Sequence, residues 1–193
     1  MCRHLAYLGP PATLRALLAA VRSATEGTEP SAAAAAPYSS GRWLFSHNGV
    51  LDGWPEATTS LAATLPASDL LTLEARCDSA LAWALVSARL RAGRGPADAL
   101  ADVIGALAGH QVGGRFNFLL SDGEVIAATA AGDTLCYRLS GDSVLVASEP
   151  VNDEPGWTEV SDQCVLTATT AGVDIHKLPG RRQPPLARDA PGP

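Results

Sequence analysis

The sequence predicts one α+β domain on three observations: two amphipathic helical segments mid-chain, a run of short β-prone segments after them, and a length of 193 residues that suits one core. The length is too short for two ordinary domains unless both are small. The first helix is expected from about Asp78 or Ser79 to Arg91, with Leu81, Leu85 and Val86 on one face and Gly93 beyond its end. The second opens with Pro96 in its first turn and places Leu100, Val103, Ile104 and Leu107 at i, i+3, i+4 and i+7, closing at Gly109. The period then shortens. Segments 116–121, 124–130, 134–139, 143–148, 164–169 and 173–178 are separated by Asp122-Gly123, Gly132-Asp133, Gly141-Asp142 and Ala171-Gly172, and read as an antiparallel meander.

The first half is less regular. Arg3 to Gly9 is a short apolar stretch stopped by Pro10-Pro11, a strand at the N-terminus. Thr13 to Arg22 has helix-forming residues behind a Thr in the N-cap position, so local propensity predicts a helix. The alanine run from Ser31 to Ala36, before Pro37, reads as a loop. Arg42 to Ser46 is β-prone and is expected to end in a tight turn at His47-Asn48-Gly49. Residues 179–193 carry five prolines and little apolar content, so the domain is placed at 1–178 and 179–193 is expected to be a disordered tail.

Composition excludes several function classes. A net charge of -6 without a basic cluster argues against a nucleic-acid partner, because that affinity comes mainly from Lys and Arg on phosphates. No apolar run reaches a membrane-spanning length and the first residues lack the pattern of a signal peptide, so a cytoplasmic protein without a membrane partner is expected. Cysteines 2, 77, 136 and 164 form no CxxC pair and are expected as thiols. Oligomeric state is not encoded in any of these features.

Position 2 is the first chemical clue. Met before a small residue is normally trimmed, which leaves Cys2 with a thiol and a free α-amine on one residue. With reference pKa values of about 8.5 and about 7.7–8.0, the amine can take the thiol proton near neutral pH, directly or through water. On position alone Cys2 reads equally well as a small apolar residue starting a strand. The Asn48 side-chain amide and the Gly49 backbone N–H are two donors able to hold a tetrahedral oxyanion, and glycine lets the chain turn its N–H to a substrate; an Asn-Gly hairpin turn is the plainer reading. Arg22 could grip a carboxylate with its planar fork, with the Thr25 hydroxyl beside it, or lie on the surface. Asp78 could hold an ammonium and also sits where a helix N-cap is expected. Trp54 and Trp157, near Pro and Gly, are expected to be exposed. A metal on Cys2 and His4 lacks further ligands close in sequence, with His110 and His176 far off, so no metal and no cofactor are expected.

Singly these motifs are unspecific; their order is not. Met-Cys-Arg-His-Leu at the start, then Val-Arg-Ser-Ala-Thr, Arg-Trp-Leu-Phe-Ser-His-Asn-Gly, Cys-Asp-Ser-Ala, Ala-Ser-Glu-Pro and Asp-Glu-Pro-Gly-Trp resemble the class II glutamine amidotransferase family over nearly all of residues 1–178. Within it the likeness is to the branch that removes glutamate from γ-glutamyl-hercynylcysteine sulfoxide in ergothioneine biosynthesis. The resemblance implies an N-terminal-nucleophile hydrolase with a four-layer αββα sandwich and the nucleophile at a strand end between two sheets. It implies Cys2 as the nucleophile, Asn48 and Gly49 as the oxyanion hole, Arg22 and Thr25 on the α-carboxylate of a small-molecule γ-glutamyl substrate, Asp78 on its α-ammonium, and His47 orienting the loop.

One departure stands out. Family members carry a long stretch, with further strands of the central sheets, between the opening strand and Val-Arg-Ser-Ala-Thr, whereas here nineteen residues separate Cys2 from Arg22. The join falls at Leu18–Ala19, where the fused sequence gains its helical pattern. Lost strands leave unpaired edges and uncovered apolar faces, so reduced stability and impaired activity are expected. The alternatives to a γ-glutamyl hydrolase are an inactive remnant that still binds a γ-glutamyl ligand or a partner, and glutamine amidotransfer to another acceptor.

Overall fold

The computed structural model describes residues 4–11 and 37–179. The helix expected at Thr13–Arg22, the Ala run at 31–36, the join at Leu18–Ala19 and the tail beyond Pro179 lie outside the described residues, as do Cys2, Arg22 and Thr25. Strands β1 (Leu5–Leu8), β2 (Tyr38–Ser40) and β3 (Trp43–Leu51) come first. After a 3-10 turn at Glu56–Thr58 follow the short helices α1 (Thr59–Ala62) and α2 (Ala67–Leu71), then the long α3 (Asp78–Arg91) and α4 (Pro96–Gly109). The chain ends with β4 (Gly114–Ser121), β5 (Ile126–Ala130), β6 (Cys136–Ser140), β7 (Ser143–Ala147), β8 (Thr158–Glu159), β9 (Cys164–Thr169) and β10 (Gly172–Lys177).

The α+β expectation is borne out. A six-stranded sheet in the order β10-β9-β5-β4-β3-β2 faces a four-stranded one in the order β1-β7-β6-β8. All the pairings are antiparallel. Helices α3 and α4 both lie on the larger sheet, so the described residues supply three layers, αββ, and no long helix among them covers the outer face of the smaller sheet. Both long helices follow their apolar period: Leu81, Leu85, Val86, Leu100, Val103, Ile104 and Leu107 are all buried. With Phe45, Phe118 and Trp83 they form the core between helices and sheet, where Phe45 stacks on Trp83 at 5.4 Å between ring centroids. A second core of Leu8, Ile126, Ala128, Val144, Val146 and Leu166 lies between the sheets.

Three expectations are corrected. The last strands form no single meander: β6 and β7 leave for the smaller sheet and β9 returns to pair with β5. Strand β5, IAATA, shows why. It is buried on both faces, Ala127 in the helix-side core and Ile126, Ala128 and Ala130 between the sheets, so it needs a paired neighbour on each edge, and β4 and β9 supply them.

The second correction concerns His47-Asn48-Gly49, which is not a turn. Strand β3 runs straight through it, pairing residue for residue with β4 from Leu44↔Ser121 to Leu51↔Gly114. The hairpin turn lies earlier, at Gly41 (φ 59°), between β2 and β3. Asn-Gly folds a chain back only when its flanks can pair with each other; here Val50 and Leu51 pair onward with Arg115 and Gly114. Third, Trp54 and Trp157 are half-buried rather than exposed. Trp54 packs against the helix-side core, and Trp157 lies against the Arg138 guanidinium while its Nε1–H donates to Asn152 Oδ1 at 3.1 Å.

Candidate active site

Alternation along β3 sends neighbouring side chains to opposite faces. Phe45 and His47 point to the helices, and Asn48 shares the other face with its cross-strand partner Asn117. His47 is buried, with Nδ1 3.0 Å from Ser79 Oγ and Nε2 3.0 Å from the Arg115 carbonyl oxygen. A carbonyl only accepts, so Nε2 carries the proton and Nδ1 accepts from the Ser79 hydroxyl. Burial pulls the imidazole pKa down against the opposing pull of the Arg115 carbonyl and Asp78, so the ring is neutral. Both nitrogens are held by protein groups, which are the contacts of a positioning residue.

Gly49 is where the site requires glycine. Its φ of 155° and the close approach of β4 leave no room for a side chain: a Cβ there would run into the Arg115 carbonyl and lie 2.8 Å from His47 Nε2. The residue beside it, Asn48, is 5% exposed, and among the described residues its side-chain amide makes no hydrogen bond. An amide without a protein partner, on the face of β3 away from the helices, is available to a ligand. Asn117, opposite it, is fully buried and fully used: Nδ2 donates to the carbonyls of Asp133 at 2.8 Å and Thr134 at 3.1 Å, and Oδ1 accepts from Ala131 N at 3.0 Å and Asp133 N at 3.1 Å.

Asp78 is the first residue of α3, one place inside the expected cap. Its Oδ1 accepts the Ser79 N–H at 2.7 Å, and its Oδ2 accepts the Leu51 N–H at 2.9 Å, two residues past Gly49. The carboxylate thus ties the helix start to the end of β3; the Ser79 hydroxyl also lies 3.3 Å from Oδ1, and Oδ2 keeps a lone pair for a further donor. The structure therefore gathers His47, Asn48, Gly49 and Asp78 where β3 meets α3.

Strand β1 opposes them in the smaller sheet. His4, just before it, is buried with neither ring nitrogen paired. Burial first, and His47 second, push its pKa down to about 3. The three described cysteines are poor competitors for a nucleophile's role. Cys136 is buried and its thiol is pushed up to about 12 by burial and then by Glu149 and Glu159; Cys164 is buried; Cys77 lies 3.1 Å from the Tyr38 hydroxyl. All three are free thiols, as expected. Among the described residues no group of three or more His, Cys, Asp or Glu could hold a metal ion, and no helix is long and apolar enough to cross a membrane.

Ser79, Arg115 and Asn117 carry much of this geometry and were not expected from the sequence. The alternation of β3 could have shown that His47 and Asn48 cannot both face one substrate, had His47-Asn48-Gly49 been read as strand.

The sequence matches the model of the class II glutamine amidotransferases over residues 11–141. The chain belongs to that family. It is 35% identical over 177 residues, 92% of this chain and 69% of the relative, to a γ-glutamyl-hercynylcysteine sulfoxide hydrolase from Mycobacterium tuberculosis. It is 35% identical over 173 residues to the protein of that name from Mycolicibacterium smegmatis, covering 90% of this chain and 69% of the relative. Among solved structures, a glutamine aminotransferase class-II domain protein from Silicibacter pomeroyi superposes with a TM-score of 0.62 at 28% identity, over 75% of this chain and 70% of that one.

Proposed function

We propose that this chain hydrolyses a γ-glutamyl amide through a thioester on Cys2, with γ-glutamyl-hercynylcysteine sulfoxide as the substrate. The observation that carries the reading is the unpaired Asn48 amide beside Gly49, facing the smaller sheet, whose edge strand β1 begins three residues after Cys2. The names of the curated relatives supply the substrate.

In this reading the Cys2 thiol gives its proton to the α-amine and the sulfur attacks the γ-carbonyl carbon. The Asn48 side-chain N–H and the Gly49 backbone N–H hold the resulting oxyanion, a contribution of roughly 3–4 kcal/mol per donor in hydrolases of this kind. Collapse breaks the C–N bond, and the departing amine takes the proton from the α-ammonium. Water, deprotonated by the α-amine, then attacks the thioester; glutamate leaves and the thiol is restored. Arg22 and Thr25 bind the α-carboxylate of the glutamyl group. Asp78 takes the α-ammonium on the lone pair that Leu51 leaves on Oδ2. His47 shapes the strand and does not touch substrate. No metal or cofactor enters any step.

The test is intact mass spectrometry and peptide mapping after exposure to the glutamine analogue 6-diazo-5-oxo-norleucine. One adduct on Cys2, with Met1 absent, and loss of γ-glutamyl hydrolysis in Cys2→Ala are the expected results. Labelling of Cys2 no faster than of Cys77, or retained Met1, sinks the reading in favour of an inactive remnant. Glutamine turnover that depends on an added amine acceptor points to amidotransfer instead.

A further inference from the structure

In a regular antiparallel pair every second pair of opposed residues exchanges both N–H···O=C bonds, and an N–H given one way marks a pair that returns the other. Extending the β1–β7 register one step beyond Leu5↔Ala147 opposes His4 to Ser148, and there the exchange is broken in a specific way. Ser148 N donates to the His4 carbonyl at 3.1 Å as the ladder requires. The return bond from His4 N goes not to the Ser148 carbonyl but to Ser148 Oγ, at 2.9 Å. That hydroxyl also lies 3.3 Å from the His4 carbonyl. The displaced Ser148 carbonyl accepts from Thr134 Oγ1 at 2.8 Å. The Thr134 carbonyl in turn accepts from Asn117 Nδ2, and Asn117 is the cross-strand partner of Asn48.

A serine hydroxyl has thus replaced a backbone carbonyl, and the freed carbonyl ties a third segment into the pair. The result is a continuous path from the strand beside Asn48, through Asn117, Thr134 and Ser148, to His4. No other described contact joins the start of β1 to the loop after β5 through side-chain hydrogen bonds.

We infer that Ser148 is a positioning residue: it fixes the height of the segment carrying Cys2 against Asn48 and Gly49, with Thr134 linking it to the larger sheet. The inference rests on the reading of Cys2 and Asn48 given above. Positioning within an ångström matters on the order of 100-fold in rate. Thr134 is exposed, so water can partly replace its hydroxyl and its share is the smaller one.

The experiment is the kinetics of Cys2 labelling by 6-diazo-5-oxo-norleucine in wild type, Ser148→Ala, Ser148→Thr and Thr134→Val. Hydrogen exchange of the peptide covering residues 3–8 is measured on the same proteins. Ser148→Ala is expected to slow labelling at saturating reagent by roughly 10- to 100-fold, with the half-saturating concentration within about twofold of wild type. Ser148→Thr, which keeps the hydroxyl, stays near wild type, and Thr134→Val slows labelling by a few fold. An unchanged saturating rate in Ser148→Ala, or a loss carried wholly by weaker saturation, overturns the inference. Should Ser148→Ala not fold, the exposed Thr134→Val decides on the same scale. Should wild type itself not label at Cys2, the proposed function fails, and the anchor is judged by exchange: faster exchange of residues 3–8 in Ser148→Ala, with β9 unchanged, upholds it, and equal exchange overturns it.

Discussion

The two cores differ in what fills them. Between the helices and the six-stranded sheet sit Tyr38, Phe45, Phe116, Phe118 and most of the fully buried leucines, whereas the space between the sheets holds Val144, Val146, Leu8, Ile126 and several alanines. Large side chains hold layers apart and bury more area; small ones let them close. The helix-side core therefore supplies stability. The thin inter-sheet core brings β1 against β4 and β5 of the larger sheet. The difference teaches that the two halves of the proposed site rest on unequal supports: His47, Asn48, Gly49 and Asp78 are braced by α3 and β4, while β1 is an edge strand of four residues in the sheet of the described residues.

The sharpest way to break this comparison is to remove one large side chain from each core. Phe118→Ala, losing a fully buried ring in contact with Phe45 and His47, is expected to cost about 3–5 kcal/mol. Leu8→Ala, at the end of β1 with 6% exposure, is expected to cost about 2 kcal/mol, the low end for a buried leucine. Denaturant unfolding measures both; equal losses would mean that the sheets, not the helices, carry the fold.

Next in size is Gly49→Ala, which acts on the braced half alone. The new methyl meets the Arg115 carbonyl and crowds the His47 ring at an unfavourable φ, so β3 must shift. A stability loss of about 1–3 kcal/mol is expected, with a fall in γ-glutamyl hydrolysis on the order of 100-fold as the oxyanion donors move. Activity falling no further than stability predicts would separate Gly49 from the chemistry.

How much of this was legible in the sequence follows the same division. The long helices could be read to within a residue, because their apolar periods face one continuous core and their ends are marked by Pro96 and by Gly93 and Gly109. The β segments were legible as strands but not in their partners. The departure of β6 and β7 to another sheet depends on the Asn117 hydrogen bonds to the loop after β5, which no local pattern announces. Gly49 was read as a turn glycine, whereas it is glycine because β4 passes too close, a tertiary constraint, and not because the chain turns there. The motif order singled out Asn48 and Asp78, which the fold brings to the end of β3 and the start of α3, whereas Ser79, Asn117 and Ser148 carry ordinary residue types whose contacts exist only in the fold.

The smallest expected effect probes the weaker support through His4. In the fold its pKa is about 3, held down by burial and by His47, against about 6.5 in the unfolded chain. Above pH 6.5 neither state binds the proton and the contribution is fully present. Between 6.5 and 3 the unfolded chain takes up a proton that the fold refuses, so stability falls as pH falls, at up to about 1.4 kcal/mol per unit. His47, also depressed, adds a slope of the same sign, but it is common to wild type and a His4→Phe variant. Unfolding free energies of the two proteins, followed from pH 7.5 to 4.5, are therefore expected to diverge below 6.5, wild type losing stability faster. Parallel curves would mean that His4 accepts its proton in place, by moving to solvent or to a partner, and that the β1 segment is looser than its backbone bonds to Ser148 imply.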